Sequence, residues 1–234
     1  MSWLSRWLPR QVALPDQART RLVAWRALPE PDLSRESINT RYVVVDVESS
    51  GLDARRDRLI ALGAVAVSAS RIALDDGFYV ELRQEVVSDD ANILVHRIGS
   101  AAQSGGAEPV GALLDFLEYV GKSPLVGFHA AFDESIISRA TRFFLGEKFK
   151  RQWIDLAYLA PAICTEQAPT AKTLDDWTAA FGIANLARHH ALADAVATAQ
   201  LHLVLCDCAR EKGLRTQREL CNEGESQFWL ERRR

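Results

Sequence analysis

Apolar positions along the chain fall first into short runs that suit strands, then into longer stretches with a helical period. Tyr42-Val43-Val44-Val45-Asp46-Val47-Glu48 is nearly continuous and β-branched. It predicts a buried strand that runs into the small-residue turn Ser49-Ser50-Gly51. Arg58 to Ser68 predicts a second, well-buried strand, and Arg71 to Arg83 a third with an interruption at Asp75-Asp76-Gly77. Together they make an antiparallel meander. Asp89 to Gly106 has no sustained period and reads as irregular. Pro109 to Gly121 predicts a helix with Val110, Leu113, Leu114 and Leu117 at helical spacing. A short strand from Leu125 to Phe128 and a helix from Asp133 to Leu145 follow. The remainder reads as helical: Ile154 to Ala162, Leu174 to Phe181, and a long helix from His190 to Lys212 stopped by Gly213. Strands first, then strand–helix alternation, predict an α/β fold in which helices pack on a mixed β-sheet.

Residues 1–40 stand apart. Trp3, Trp7 and Trp25 punctuate a mildly basic stretch, and Asp16 to Leu28 predicts a helix ended by Pro29-Glu30-Pro31. Of two readings, a docking or nucleic-acid arm and a helix packed on the back of the domain, the second is expected. The organisation expected is an N-terminal helical extension (1–40), a central domain (41–213) and a short charged C-terminal segment (214–234).

Composition narrows the function classes. The 234 residues are 48% hydrophobic and 25% charged, a globular balance that argues against disorder. A net charge of -3 excludes a global basic field for duplex binding, so a nucleic-acid partner needs a local basic rim or metal ions. Cys164, Cys206, Cys208 and Cys221 lack the paired spacing of a zinc site and are expected as reduced thiols in a cytoplasmic protein. No signal peptide, no transmembrane span and no membrane partner are expected.

The chemistry lies in the acids. Asp46 and Glu48 sit two residues apart on a strand, so both point to one face, with Cα atoms roughly 6–7 Å apart. Val43, Val45 and Val47 point the other way. Two carboxylates on an apolar strand repel and lose hydration. A divalent cation would neutralise them; the alternative is an edge pair facing water or bound to Arg55, Arg56 or Arg58. Asp133 follows a predicted buried strand at a helix start, and Asp194 lies in the first turns of the long helix beside His189 and His190. Either could be a simple helix-start acid. Together the four acids and a histidine are the parts of a two-metal phosphodiester hydrolase, with dications about 3.5–4 Å apart. A neutral imidazole can take the proton of the attacking water. Helix periodicity alone pairs His190 with Asp194.

Three stretches in order, Asp46-Val47-Glu48-Ser49-Ser50-Gly51-Leu52, His129-Ala130-Ala131-Phe132-Asp133 and His189-His190-Ala191-Leu192-Ala193-Asp194-Ala195, carry a resemblance. The chain resembles the DnaQ-like, DEDDh-type 3′–5′ exonucleases over about residues 41–213. The resemblance implies a ribonuclease H-like fold and a site of Asp46, Glu48, Asp133 and Asp194 holding two Mg²⁺ or Mn²⁺ ions. It also implies His189, in preference to His190, as general base. Ser49, Gly51 and Leu52 would cradle the terminal nucleotide, with His96 near it. The activity implied is hydrolysis from 3′ ends of single-stranded nucleic acid, DNA before RNA, in replication or repair. A non-catalytic module binding a polymerase or nucleic acid ends is the alternative. Ser49-Ser50 replaces the family's threonine pair, and Ala130 replaces an asparagine, which bears on substrate positioning.

Overall fold

The computed structural model describes residues 13–233, so Trp3, Trp7 and Arg234 lie outside the described residues. Three strands open the domain: β1 (Tyr42–Ser49), β2 (Leu59–Ser68) and β3 (Arg71–Glu81). They pair antiparallel as the meander that the alternation predicts. The expected interruption at Asp75-Asp76-Gly77 is a shift in register: Ala64 pairs with Phe78, but Ala66 pairs with Ala73, so β3 loops out between them. β4 (Leu125–Gly127) adds parallel to β1, and β5 (Trp153–Asp155) adds parallel to β4. The sheet order is β3-β2-β1-β4-β5, a mixed sheet.

Helices cover both faces because β1 buries both of its faces. Val43, Val45 and Val47 pack with Leu113, Phe116 and Leu117 of α4 (Pro109–Val120) and with Ile136 and Ile137 of α5 (Ala131–Leu145). Tyr42 and Val44 pack on the opposite face. There they meet α6 (Leu156–Cys164), Trp177 of α7 (Leu174–Ala180) and the alanine-rich side of α8 (Ala191–Glu211). α8 is long and apolar enough to cross a membrane by length and composition, contrary to the sequence expectation. Its apolarity has a local cause: Ala191, Ala195, Ala199, Leu201 and Leu205 are fully buried against protein.

Four further elements depart from the sequence reading. The stretch read as irregular holds two short helices, α2 (Asp90–His96) and α3 (Ser100–Gly105). Ile154 and Asp155, read as the start of a helix, belong to β5. The charged C-terminal segment forms α9 (Gln217–Glu231), which buries Leu220 and Cys221 and sets Phe228 edge-on to Tyr158 of α6. At the other end, α1 (Asp16–Arg26) packs on α4, the arrangement preferred from sequence. Arg21 pairs with Asp115 and Glu118, and the Trp25 indole donates to Gly121 O at 2.9 Å. The four cysteines are free thiols.

Candidate active site

The carboxylate face of β1 is the one that α8 crosses. Asp46 pairs in register with Gly63 of β2, and the first turn of α8 lies directly over that glycine. A Cβ at Gly63 would fall 2.2 Å from the Ala191 carbonyl carbon and 2.2 Å from Leu192 N, so only glycine admits this approach. The close crossing carries Asp194, one turn further on, down to the strand. Carboxylate oxygens of Asp46, Glu48 and Asp194 all lie within 4.8 Å of one another. Residues from the beginning and the end of the domain thus share one small volume.

Asp133 enters from the first turn of α5 and is 5% exposed. It is not part of that three-oxygen group, yet its charge is the first among those that push Asp46 up. The turn before it is held by Asp155, whose Oδ1 accepts from the His129 amide at 2.9 Å and from Ala157 N at 3.0 Å. The second bond caps α6; the first ties the His129 turn to β5. His129 and His189 both adopt left-handed backbone, at φ 60° and 61°, a region several-fold enriched in histidine. Ala130 is buried and α5 has no side-chain cap there.

The cluster is electrostatically unbalanced. Burial raises Asp46 well above the ordinary aspartate range, and repulsion from Asp133, Asp194 and Glu48 adds to it. Burial, with repulsion from Asp194, raises Glu48 to about 8. Asp133 is also raised, first by burial, against the lowering influence of backbone amides at Asp133 and Val47. None of the arginines considered from sequence relieves this: Arg56 pairs with Asp53, while Arg58 reaches Gln84 and the Val86 carbonyl. Buried like charges with only oxygen ligands, close enough to touch one ion, are the setting in which a hard divalent cation fits. A neutral or monocationic group would leave most of the repulsion in place.

The loop before α8 is organised by Asp194. Asp194 Oδ2 accepts from the His189 amide at 3.0 Å and from Arg188 Nη1 at 2.7 Å, while Oδ1 accepts from Asn185 Nδ2. Among the described residues, His189 engages Asp194 through its backbone and leaves its imidazole exposed at the rim. His190, the partner that periodicity selects, caps α8 and stacks its ring on Tyr79 of β3, centroids 4.5 Å apart. Arg188, Asn185 and Tyr79 are additions to the site. Arg188 and Asn185 meet Asp194 across a turn, and Tyr79 meets His190 from a neighbouring strand, contacts that no spacing along the chain encodes.

Beyond β1 the chain forms a tight loop. Ser49 donates to Gly51 O at 2.6 Å, and Ser50 to Asp57 Oδ1 at 3.0 Å. A Cβ at Gly51 would meet Asp57 Oδ2 at 2.5 Å. Leu52 projects outward, 94% exposed, at the tip of this loop. His96, at the end of α2, is 3% exposed; its Nδ1 accepts from Ile98 N at 3.0 Å, and its Nε2 has no partner. The bonded Nδ1 fixes the tautomer of the neutral ring, leaving Nε2–H as the donor.

Comparisons with known proteins bear on the family and the fold. DNA polymerase III PolC-type of Bacillus subtilis (strain 168) is 31% identical over 180 residues, which cover 76% of this chain. The chain spans only 11–13% of the length of such PolC-type relatives. DNA polymerase III subunit epsilon of Aquifex aeolicus (strain VF5) is 26% identical over 71% of this chain and 80% of its own length. Among solved structures, E. coli Exonuclease I in complex with a dT13 oligonucleotide superposes with a TM-score of 0.63 at 14% identity. The match covers 74% of this chain and 42% of that one. Exonuclease X in complex with 5′ overhanging duplex DNA gives 0.61 at 18% identity, over 78% of this chain and 99% of that one. Both likenesses place the sheet and its helices in the ribonuclease H-like fold. The profile of the RNase_T family, described as exonuclease, matches residues 43–202, and the chain therefore belongs to that family of DnaQ-like exonucleases.

Proposed function

We propose that this protein is a metal-dependent 3′–5′ exonuclease that removes nucleotides from the 3′ end of single-stranded DNA. The observation that carries the reading is the group of Asp46, Glu48 and Asp194 oxygens within 4.8 Å of one another, Glu48 and Asp194 buried and Asp46 half-buried, without enough positive charge to balance them. Asp46, Glu48 and Asp194 would hold Mg²⁺ or Mn²⁺, with Asp133 facing the same charge from α5. Divalent cations held there supply Lewis acidity, which polarises a phosphodiester and acidifies water at neutral pH. His189 accepts the proton of the attacking water on a ring nitrogen. Its backbone amide, bonded to Asp194 Oδ2, ties residue 189 to the acidic group. His190 is held on Tyr79 and serves as support. The Ser49–Leu52 loop receives the terminal nucleotide, with exposed Leu52 offering an apolar surface to its base. DNA is preferred over RNA because the solved neighbours named above are complexes with DNA or deoxyoligonucleotides.

A second reading, a non-catalytic module attached to a polymerase, is favoured by one observation: the PolC-type relatives are polymerases, of which this chain spans a small part. One experiment separates the two. DNA and RNA oligonucleotides labelled at the 5′ end are incubated with Mg²⁺ or Mn²⁺, with and without chelator. The expected result is a ladder shortening from the 3′ end of DNA, abolished by chelator. No cleavage in either metal leaves only the binding module, and cuts that begin internally overturn the exonuclease direction.

A further inference from the structure

Asp194 is not a bare carboxylate waiting for an ion. Both of its oxygens are engaged by the loop that precedes α8. Arg188 Nη1 and the His189 amide lie on Oδ2, and the Asn185 amide lies on Oδ1. Arg188 simultaneously forms an ion pair with Asp175 of α7, its Nε 2.6 Å from Oδ1, close but not aligned as a hydrogen bond. The two carboxylates sharing this guanidinium differ in setting. The Asp194 side chain is 5% exposed and that of Asp175 is 60% exposed. Arg188 is also the group whose charge lowers both Asp46 and Glu48 against the raising forces around them.

We propose that Arg188 is the resident counter-ion of the acidic cluster, and that a divalent cation binds Asp194 only as Arg188 releases it and falls back on Asp175. The inference rests on the metal-binding reading given above. A guanidinium nitrogen 2.7 Å from Oδ2 occupies the space from which an ion would approach that oxygen, and the two positive charges repel. Removing Arg188 without a replacement would leave a buried carboxylate unpaired beside two others, a strongly unfavourable state. Exchange of one cation for another avoids that state. Asp175 keeps the released guanidinium close in a solvated position, where holding it costs little. A monovalent ion brings no more charge than Arg188 and lacks its directional hydrogen bond. The arrangement therefore favours divalent over monovalent ions and sets a concentration threshold for loading.

Mn²⁺ uptake by the chelator-treated full chain, measured by titration calorimetry without nucleic acid, tests this. Arg188→Gln is expected to bind Mn²⁺ about tenfold more tightly than the wild type, ~1.4 kcal/mol. Asp175→Asn removes the fallback site and is expected to bind several-fold more weakly. Arg188→Lys keeps the charge but loses the planar fork. It should fall between wild type and Arg188→Gln, and it serves as the readable variant if Arg188→Gln lacks a cooperative unfolding transition. Wild-type binding with no gain in either Arg188 variant overturns the inference alone. Failure of every variant to take up Mn²⁺ sinks the metal reading and the inference with it.

Discussion

Replacing Gly63 by alanine probes the contact that brings the first turn of α8 down onto the sheet. The added methyl carbon would lie 2.2 Å from Ala191 C and Leu192 N and 2.5 Å from Ala191 O. Carbon contacts settle at about 3.5–4.0 Å, so β2 and the first turn of α8 must separate by roughly 1.3 Å or more. All three opposing atoms are backbone, and no side chain can turn aside to absorb the clash. Overpacking of this kind costs about 1–3 kcal/mol, and a backbone clash belongs at the upper end. Asp194 rides on that turn while Asp46 and Glu48 stay on the strand. A misplacement of about 1 Å in a catalytic constellation costs on the order of 100-fold in rate. Urea denaturation of the metal-free protein and Mn²⁺-dependent hydrolysis of a single strand give the two readouts. A Gly224→Ala control inside α9, where the nearest atoms are Asp155 O and Leu159 N at 3.8 Å, should gain up to about 1 kcal/mol from helix propensity. A Gly63→Ala protein with wild-type stability and wild-type activity would refute the argument that this crossing sets the site.

Other expectations follow from the same geometry. Because Glu48 is raised to about 8, the folded metal-free protein keeps a proton that the unfolded chain has lost between about pH 4.5 and 8. Stability should therefore fall with rising pH across that window, on the order of 1 kcal/mol per unit, and Glu48→Gln should flatten the slope; urea midpoints from pH 5 to 8.5 that hold level or rise in the wild type contradict this. His189→Ala should lower kcat by about 10²–10⁴-fold. His190→Ala should retain most activity, and the reverse pattern in single-turnover rates would transfer the base role to His190. Gly51→Ala pushes against the Asp57 carboxylate that ties the loop, so KM for a single strand should rise several-fold while Mn²⁺ affinity stays fixed. Weakened Mn²⁺ binding in that variant would mean the loop and the acids are not independent.

Long periodic elements were legible in the sequence, and short or tertiary ones were not. The β-branched run of β1, the apolar run of β2 and the helical spacing of α4, α5 and α8 declare themselves because burial imposes a period. β5 is three residues long and runs straight into α6, so it shows no period of its own. α2 and α3, seven and six residues, are below the length at which a helix sustains itself. Buried His96 and Gln103 tie them to the domain: Gln103 accepts from Ser88 and donates to Ile98 O. α9 did leave a signal, the capping box of Thr216 and Glu219, that its high charge obscured. In the site, the four acids stand at strand and helix positions that any reading of alternation reaches. The groups that satisfy them do not. Arg188 and Asn185 reach Asp194 across a turn, Asp155 reaches His129 from another strand, and Tyr79 of β3 stacks on His190 at the start of α8. Each is a product of folding and not of spacing.

A crystal of the protein soaked in Mn²⁺ and measured at the manganese absorption edge addresses the central claim most directly. Anomalous density in contact with oxygens of Asp46, Glu48 and Asp194, lost in Asp194→Asn, is the predicted result. Density at other surface carboxylates with none among these three would contradict it.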